Sequence, residues 1–298
     1  MIENLSKIPL VRVIDCILNK NNSSLGMEGL AHLELEADLE SKTFIKTLKA
    51  KPPLLIQKAL YPNPSLPKTA HIYIMSSAGG ILQGDNLEIK IVLRKNTDAY
   101  ITTQAATKIY KSENQIATQH IDVSLEKNSF LEYLPKQIIP HKSACFFQEV
   151  NFTLDPNSTL LYSESISAGR IAHGEKFDFE SLIFRLNAYD TNNKILFSEA
   201  LNIEPQNKKE NFQVLFGNKN IYTTIYIISQ IINSENLNSQ IFELINRKNL
   251  MSCSQLPNNA GIVVRILSDS IDEIDDIILV IRQLVRKLVP KSTMKITQ

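Results

Sequence analysis

The chain has 298 residues, with 32 basic against 31 acidic side chains, and this net charge of +1 leaves no cationic field to attract nucleic acid. Its longest apolar runs, such as IYTTIYIISQII at 221–232, are too short and too polar to span a bilayer, so no membrane association is expected. Cys16, Cys145 and Cys253 lie far apart without a C-x-x-C pair, which speaks for a reducing compartment and against a disulfide framework or a zinc knuckle.

The N-terminal stretch MIENLSKIPLVRVID carries Glu3 and Asp15 among its apolar residues and lacks a small-residue cleavage site, so no signal peptide is expected. A soluble cytoplasmic protein follows. From about residue 70 to 205, apolar and polar residues alternate at period two, the pattern of half-buried strands. HIYIMSS, LEIKIVL, AYITTQA, SFLEYLPKQII, FFQEVNFTL, STLLYSES, FDFESLIFRLNAYD and KILFSEALNI are the strand segments, separated by short turns rich in Asn, Asp, Pro and Ser. Asn96, Asn128, Asn157 and Asn193 each sit in a polar turn ahead of an aromatic or aliphatic strand. Such a recurrence fits stacked β units, each covering the open face of the last, and it fits equally the ordinary use of Asn between hairpins.

The first of the connecting loops, SAGGILQGDNLEI at 77–89, has the glycine spacing of a phosphate-binding loop at Gly79 and Gly84. Asp85 and Asn86 stand where that loop needs Lys and Ser or Thr, and a strand follows instead of a helix, so nucleotide binding is not expected. Gly79, Gly80 and Gly84 suit positive φ angles or close backbone approach in a tight connection. Asp85 is either a turn-capping side chain or a group kept for function.

Two later stretches hold polar residues where a plain β core would not. TTQAATKIYKS at 102–112 contains Thr102, Thr103, Gln104, Thr107 and Lys108. SESISAGRIAHGEKF at 163–177 gathers Glu164, Arg170, His173 and Glu175 around Gly169 and Gly174. Both either face solvent or line something wet. There is no G-x-S-x-G elbow, and His141 with Cys145 is a lone pair between Pro140 and the strand-like FFQEV. His32, His71, His120 and His173 are scattered.

Beyond a polar connector at 206–219 the character changes. IYTTIYIIS and GIVVRIL read as strands and NLNSQIFELINRKNL as a short helix. A last helix starts at Ser270 and Glu273, spaced as a capping box, and repeats Ile271, Ile274, Ile278, Ile281, Val285 and Leu288 until Pro290. The fold class expected is mostly β, a stacked, β-helix-like arrangement with a small C-terminal α/β portion of two helices. Residues 1–205 form the β region and 206–298 a β-α-β-α segment packed on it, one structural domain overall.

GGILQGD, TTQAATKIYKS and AGRIAHGEKF resemble, in order, three signature blocks of the urease accessory protein UreD family, called UreH in some organisms. Weaker similarity surrounds them at KPPLLIQKALYP, FLEYLPKQIIP and SQLPNNAGIVVRILSD. Gln83-Gly84 replaces a second GG pair common in the family, and the first forty residues and the stretch around 205–220 match poorly. The resemblance implies a non-enzymatic maturation factor. It would act as a scaffold with UreF and, through UreF, the GTPase UreG, bind apo-urease, assemble as part of a two-fold hetero-oligomer with UreF, and help deliver nickel through a polar internal passage. It places Asp85, Gln104, Thr107, Lys108, Glu164, Arg170 and Glu175 at signature positions, lining or bracing that passage. Transient nickel contact would fall at Asp85, Glu164 and Glu175, with no tightly bound cofactor, since carboxylates hold nickel weakly compared with imidazole or thiolate. Two rival readings remain: a glycan-acting enzyme using a carboxylate pair, and a repetitive β binding module without a metal role.

Overall fold

The computed structural model describes residues 26–205, 215–244 and 250–289. The chain opens with an antiparallel pair, β1 (Glu28–Ala37) and β2 (Thr43–Lys51), and then crosses to a second sheet as β3 (Leu54–Ile56) and β4 (Ala70–Ser76). From there it winds between the two sheets. β5 (Asn86–Leu93), β8 (Ala117–Leu125), β11 (Cys145–Leu154) and β13 (Ser181–Asp190) extend the first sheet in parallel from β1. β6 (Asp98–Thr103), β9 (Phe130–Tyr133) and β12 (Thr159–Ser167) extend the second in parallel from β4. The short β7 (Thr107–Ile109) and β10 (Ile138–Pro140) pair with one another beside β12. This is a mostly β, solenoid-like stack of about four turns. Its edges are antiparallel. β2 and β14 (Ile195–Ile203) close the first sheet, while β3 closes one side of the second and β15 (Ile221–Ser229), β17 (Gly261–Ser268) and β16 (Leu250–Gln255) the other.

Period-two alternation puts Leu33, Leu35, Ile89, Ile91, Ile121, Val123, Phe146, Val150 and Phe152 of the first sheet into one core with Ile72, Ile101, Tyr133 and Tyr162 of the second. The alternation extends upstream of residue 70, into β1 and β2, and includes β8, which lies outside the segments named from the sequence.

The corners at one end of the stack explain the recurrent asparagines. Asn96 and Asn128 adopt φ angles of 62° and 60°, a region asparagine tolerates. The residues that follow, Thr97, Ser129 and Ser158, turn their hydroxyls onto the carbonyls of Arg94, Glu126 and Asp155 at 2.7, 2.5 and 2.7 Å. Neighbouring corners are joined by Asn128 Nδ2 donating to Asn96 Oδ1 at 3.1 Å. Asn193 is different. It lies in the hairpin between β13 and β14, not at a corner between the sheets.

Two helices, α1 (Ser234–Leu244) and α2 (Ile271–Leu288), belong to a second apolar cluster outside the second sheet. Ile274, Ile281, Leu284 and Val285 of α2 pack there with Leu161, Ile225, Ile227, Val264 and Ile266. Strand β15 is buried at all nine positions because core lies on one side and helices on the other. The start of α2 departs from the expected capping box. Ser270 occupies the N-cap without a side-chain bond, and Glu273 instead accepts from Ser268 Oγ at 2.7 Å. The buried hydroxyl of Ser268 also receives Ser270 N–H, the bond that Glu273 would accept in a capping box.

A buried ionic network fixes α2 on the sheet. Glu132 of β9, with no exposed surface, accepts from Arg282 Nη2 at 2.8 Å and from Arg286 Nε and Nη2, both at 2.9 Å. Arg286 also reaches both oxygens of Asp98 at 3.0 and 3.1 Å. Arg282 lies 4.4 Å from the Tyr100 ring and Arg286 4.6 Å from that of Phe130. Burial pushes the Glu132 carboxyl up, but the two guanidinium groups outweigh it and hold the group below its usual range.

Candidate functional site

The loops at the end of the stack opposite the asparagine corners bring the three distinctive stretches together. Ile81 pairs with Ile109, its N–H donating to Lys108 O at 2.8 Å while Tyr110 N–H returns to Ile81 O at 2.9 Å. β7 lies against β10, and the segment after β10 touches the next loop through Lys142 N–H, which donates to Glu175 Oε2 at 3.1 Å. The loops thus stack in the same order as the coils.

In the first loop, Asp85 is 2% exposed and both of its oxygens are engaged by backbone. Leu82 N–H and Met27 N–H each donate to it at 2.8 Å, tying the loop to the start of β1. Gly84 has a φ of 78°, and a Cβ on Gly80 would stand 2.6 Å from Lys108 O. Gly79 has neither a positive φ nor a backbone neighbour that near. Glycine spacing here serves chain geometry.

In the last loop Arg170 grips Glu175 with two hydrogen bonds, Nε to Oε2 at 2.8 Å and Nη2 to Oε1. That grip, with Lys142 N–H added and burial opposing, holds the Glu175 carboxyl down to about 2. Gly169 and Gly174 have φ angles of 138° and 76°, and the first passes so close to Glu175 that a Cβ would meet its carbonyl at 2.5 Å. His141, edge-on to Tyr110 at 4.7 Å, is lowered by burial and then by the nearby Arg170 charge. Gln104 and Lys108 are exposed.

Glu164 and Thr107 lie elsewhere, on the wall of a crevice of about 30 Å³ between the sheets, room for one or two waters. Glu164 Oε2 accepts from Gln148 Nε2 and, at 3.1 Å, from Tyr162 O–H. Burial pushes its carboxyl up to about 7, against those two bonds and with help from the charge of Glu199. Tyr162 stacks between Tyr133 at 5.6 Å and Tyr226 at 6.0 Å. Tyr226 O–H donates to Glu199 Oε2 at 3.0 Å, and Arg265 Nη2 closes on Glu199 Oε1 at 2.7 Å. Burial keeps both Tyr162 and Tyr226 well above the usual phenol range, so they act as donors at neutral pH. A file of polar groups therefore crosses an otherwise apolar core. Gln148, Tyr162, Tyr226, Glu199 and Arg265 were not among the expected site residues; the signal available for Gln148 is a polar residue at an inward-facing strand position.

Asp85, Glu164 and Glu175 thus occupy three separate environments. Among the described residues no three His, Cys, Asp or Glu side chains converge in the manner of a metal site.

The family model described as UreD urease accessory protein matches residues 27–298. The chain belongs to the UreD family. Among curated UreD proteins it is similar to that of Cenarchaeum symbiosum, 33% identical over 236 residues, covering 78% of this chain and 83% of the relative. The UreD 2 protein of Brucella canis is 34% identical over 248 residues, 82% of each chain. That of Photorhabdus laumondii is 29% identical over 230 residues, covering 76% and 72%. The match begins at residue 27, one residue before β1, and so takes in both sheets and the stretch carrying the two helices. These UreD relatives are accessory proteins by name, and a role connected with urease maturation follows from membership.

Proposed function

We propose that the chain is a cytoplasmic, non-enzymatic scaffold for urease maturation. With UreF, in a two-fold hetero-oligomer, and with the GTPase UreG recruited through UreF, it binds apo-urease and assists delivery of nickel to the enzyme. The observation that carries the nickel role is Glu164, a carboxyl enclosed beside a crevice of about 30 Å³ between the sheets and pushed up to about 7. Such a group has no use in a purely structural core, where an apolar residue would pack at lower cost. Near neutral pH it is half protonated. An arriving cation displaces the proton, binds through one carboxylate with oxygen donors of neutral groups, and leaves as readily, which suits conduction and not storage. Asp85 and the Arg170–Glu175 pair brace the loops that frame this interior.

A carboxylate pair acting on a glycan finds little support, since Arg170 neutralises Glu175 and Glu164 is enclosed between the sheets. The test is Glu164→Gln in the complex with UreF, with nickel counted per urease subunit. The variant is expected to assemble and to lower nickel loading. Full loading with assembly intact would refute the conduction role. Failure to assemble or co-purify with UreF, for the parent chain itself, would refute the scaffold.

A further inference from the structure

If nickel passes Glu164, it must enter from somewhere, and the second sheet has a break suited to this. β6 ends at Thr103 and β9 at Tyr133, while pairing resumes only with β7 at Thr107 and β10 at Ile138. Between the pairs Tyr162–Tyr133 and Ile166–Ile138, residues 134–137 make no ladder pair with β12, although Leu134 N–H still donates to Ile101 O and Lys136 N–H to Thr103 Oγ1 on the other side. A groove of about 280 Å³ lies on the outer side of this break, between the sheet and α2. The inner crevice holding Glu164 lies on the other side, and the two share Pro135, Lys136 and Ser165 as walls.

The groove also carries polar atoms that the protein leaves unpaired. Ser163 is 1% exposed and its hydroxyl has no partner, and Gln137 Oε1 and Arg282 Nε are likewise buried without one. All three residues line the same groove. Buried polar groups are almost always satisfied, and these three along one cavity wall lack partners that the protein itself supplies. Asp275 and Asp276 stand on its α2 side, and Lys136 Nζ holds Asp275 Oδ2 at 2.7 Å. The wall is mixed, with Tyr100, Leu134, Ile271, Ile278 and Leu279 beside these polar groups.

We propose that this groove beneath α2 is the mouth through which water, and cations that shed most of their water shell on entry, reach Glu164, passing the sheet between Lys136 and Ser165. The inference rests on the conduction role proposed above, and it can be tested separately from it. In the full chain, Ser163→Cys and Glu164→Cys are each exposed to the small cationic thiol reagent 2-aminoethyl methanethiosulfonate, and labelling is read at that residue by peptide mass spectrometry. Each is then combined with Leu279→Trp, which enlarges a half-exposed side chain on the outer wall of the groove. Both cysteines are expected to label in the folded protein, and the tryptophan to slow both by about tenfold, because thiol reactivity follows access. An unreactive Ser163→Cys, or labelling of Glu164→Cys at the same rate with and without the tryptophan, overturns the mouth. A sealed groove with undiminished nickel in urease would instead leave the mouth standing and overturn the conduction role.

Discussion

Replacing Glu164 by glutamine keeps the shape and the acceptor for Gln148 and Tyr162 while removing the titration. The carboxyl of Glu164 stands at about 7 in the folded chain against 4.5 when unfolded, so the native state holds more protons across that interval. Stability contributed by the protonated group is complete below pH 4.5, falls as pH rises, and is lost above pH 7. The interval corresponds to about 3 kcal/mol. Glu164→Gln should therefore match the parent near pH 4.5 and exceed it progressively, by about 3 kcal/mol at pH 8. Urea unfolding of both proteins at pH 5, 6, 7 and 8 reads this difference, in which the titrations of all other groups cancel. A difference that does not change with pH, or a variant less stable than the parent at pH 8, would show that Glu164 is not held in a desolvated place.

Arg286→Ala should destabilise by about 3–5 kcal/mol in the same assay, because it strips most of the compensation from a fully enclosed Glu132. A loss under about 1 kcal/mol would place that pair with ordinary surface ion pairs. Asp85→Asn keeps one carbonyl oxygen for two backbone donors, so one N–H is orphaned and about 1–3 kcal/mol is lost, measured as a lowered melting temperature. Gly80→Ala forces a methyl against Lys108 O and should cost about 1–3 kcal/mol, while Gly79→Ala meets only the movable Tyr110 hydroxyl and should cost less. Equal melting temperatures for the two alanine variants would refute this close-approach argument.

The stacked β fold was legible where inward residues are large and apolar, as in LEIKIVL and FFQEVNFTL. It was obscured where they are small or polar. β1 turns Gly29 and Ala31 inward, and β8 turns in Ala117 and Gln119, which flattens the apolar half of the alternation. The asparagine corners were visible as a recurrence, but sequence alone does not separate a corner at Asn128 from a hairpin at Asn193. The loop residues of the site were equally visible, since Gly84, Asp85, Arg170 and Glu175 act within short stretches. The interior pairs were not. Glu164 meets Gln148 sixteen positions away, Tyr226 meets Glu199 at 27, and Arg286 meets Glu132 at 154, separations that no local pattern encodes. Arg282 and Arg286 look from sequence like residues placed to favour a helix C-terminus, and only the fold reveals their carboxylate partner.

Parallel coils of this kind present a repeating template to which further copies could add without limit, the geometry of fibrils. Among the described residues every terminal strand of both sheets runs against its neighbour, and β2 points Lys46, Lys49 and Lys51 into solvent. A strand approaching the β2 edge meets a row of ammonium groups. At that margin, self-association into filaments is discouraged by charge.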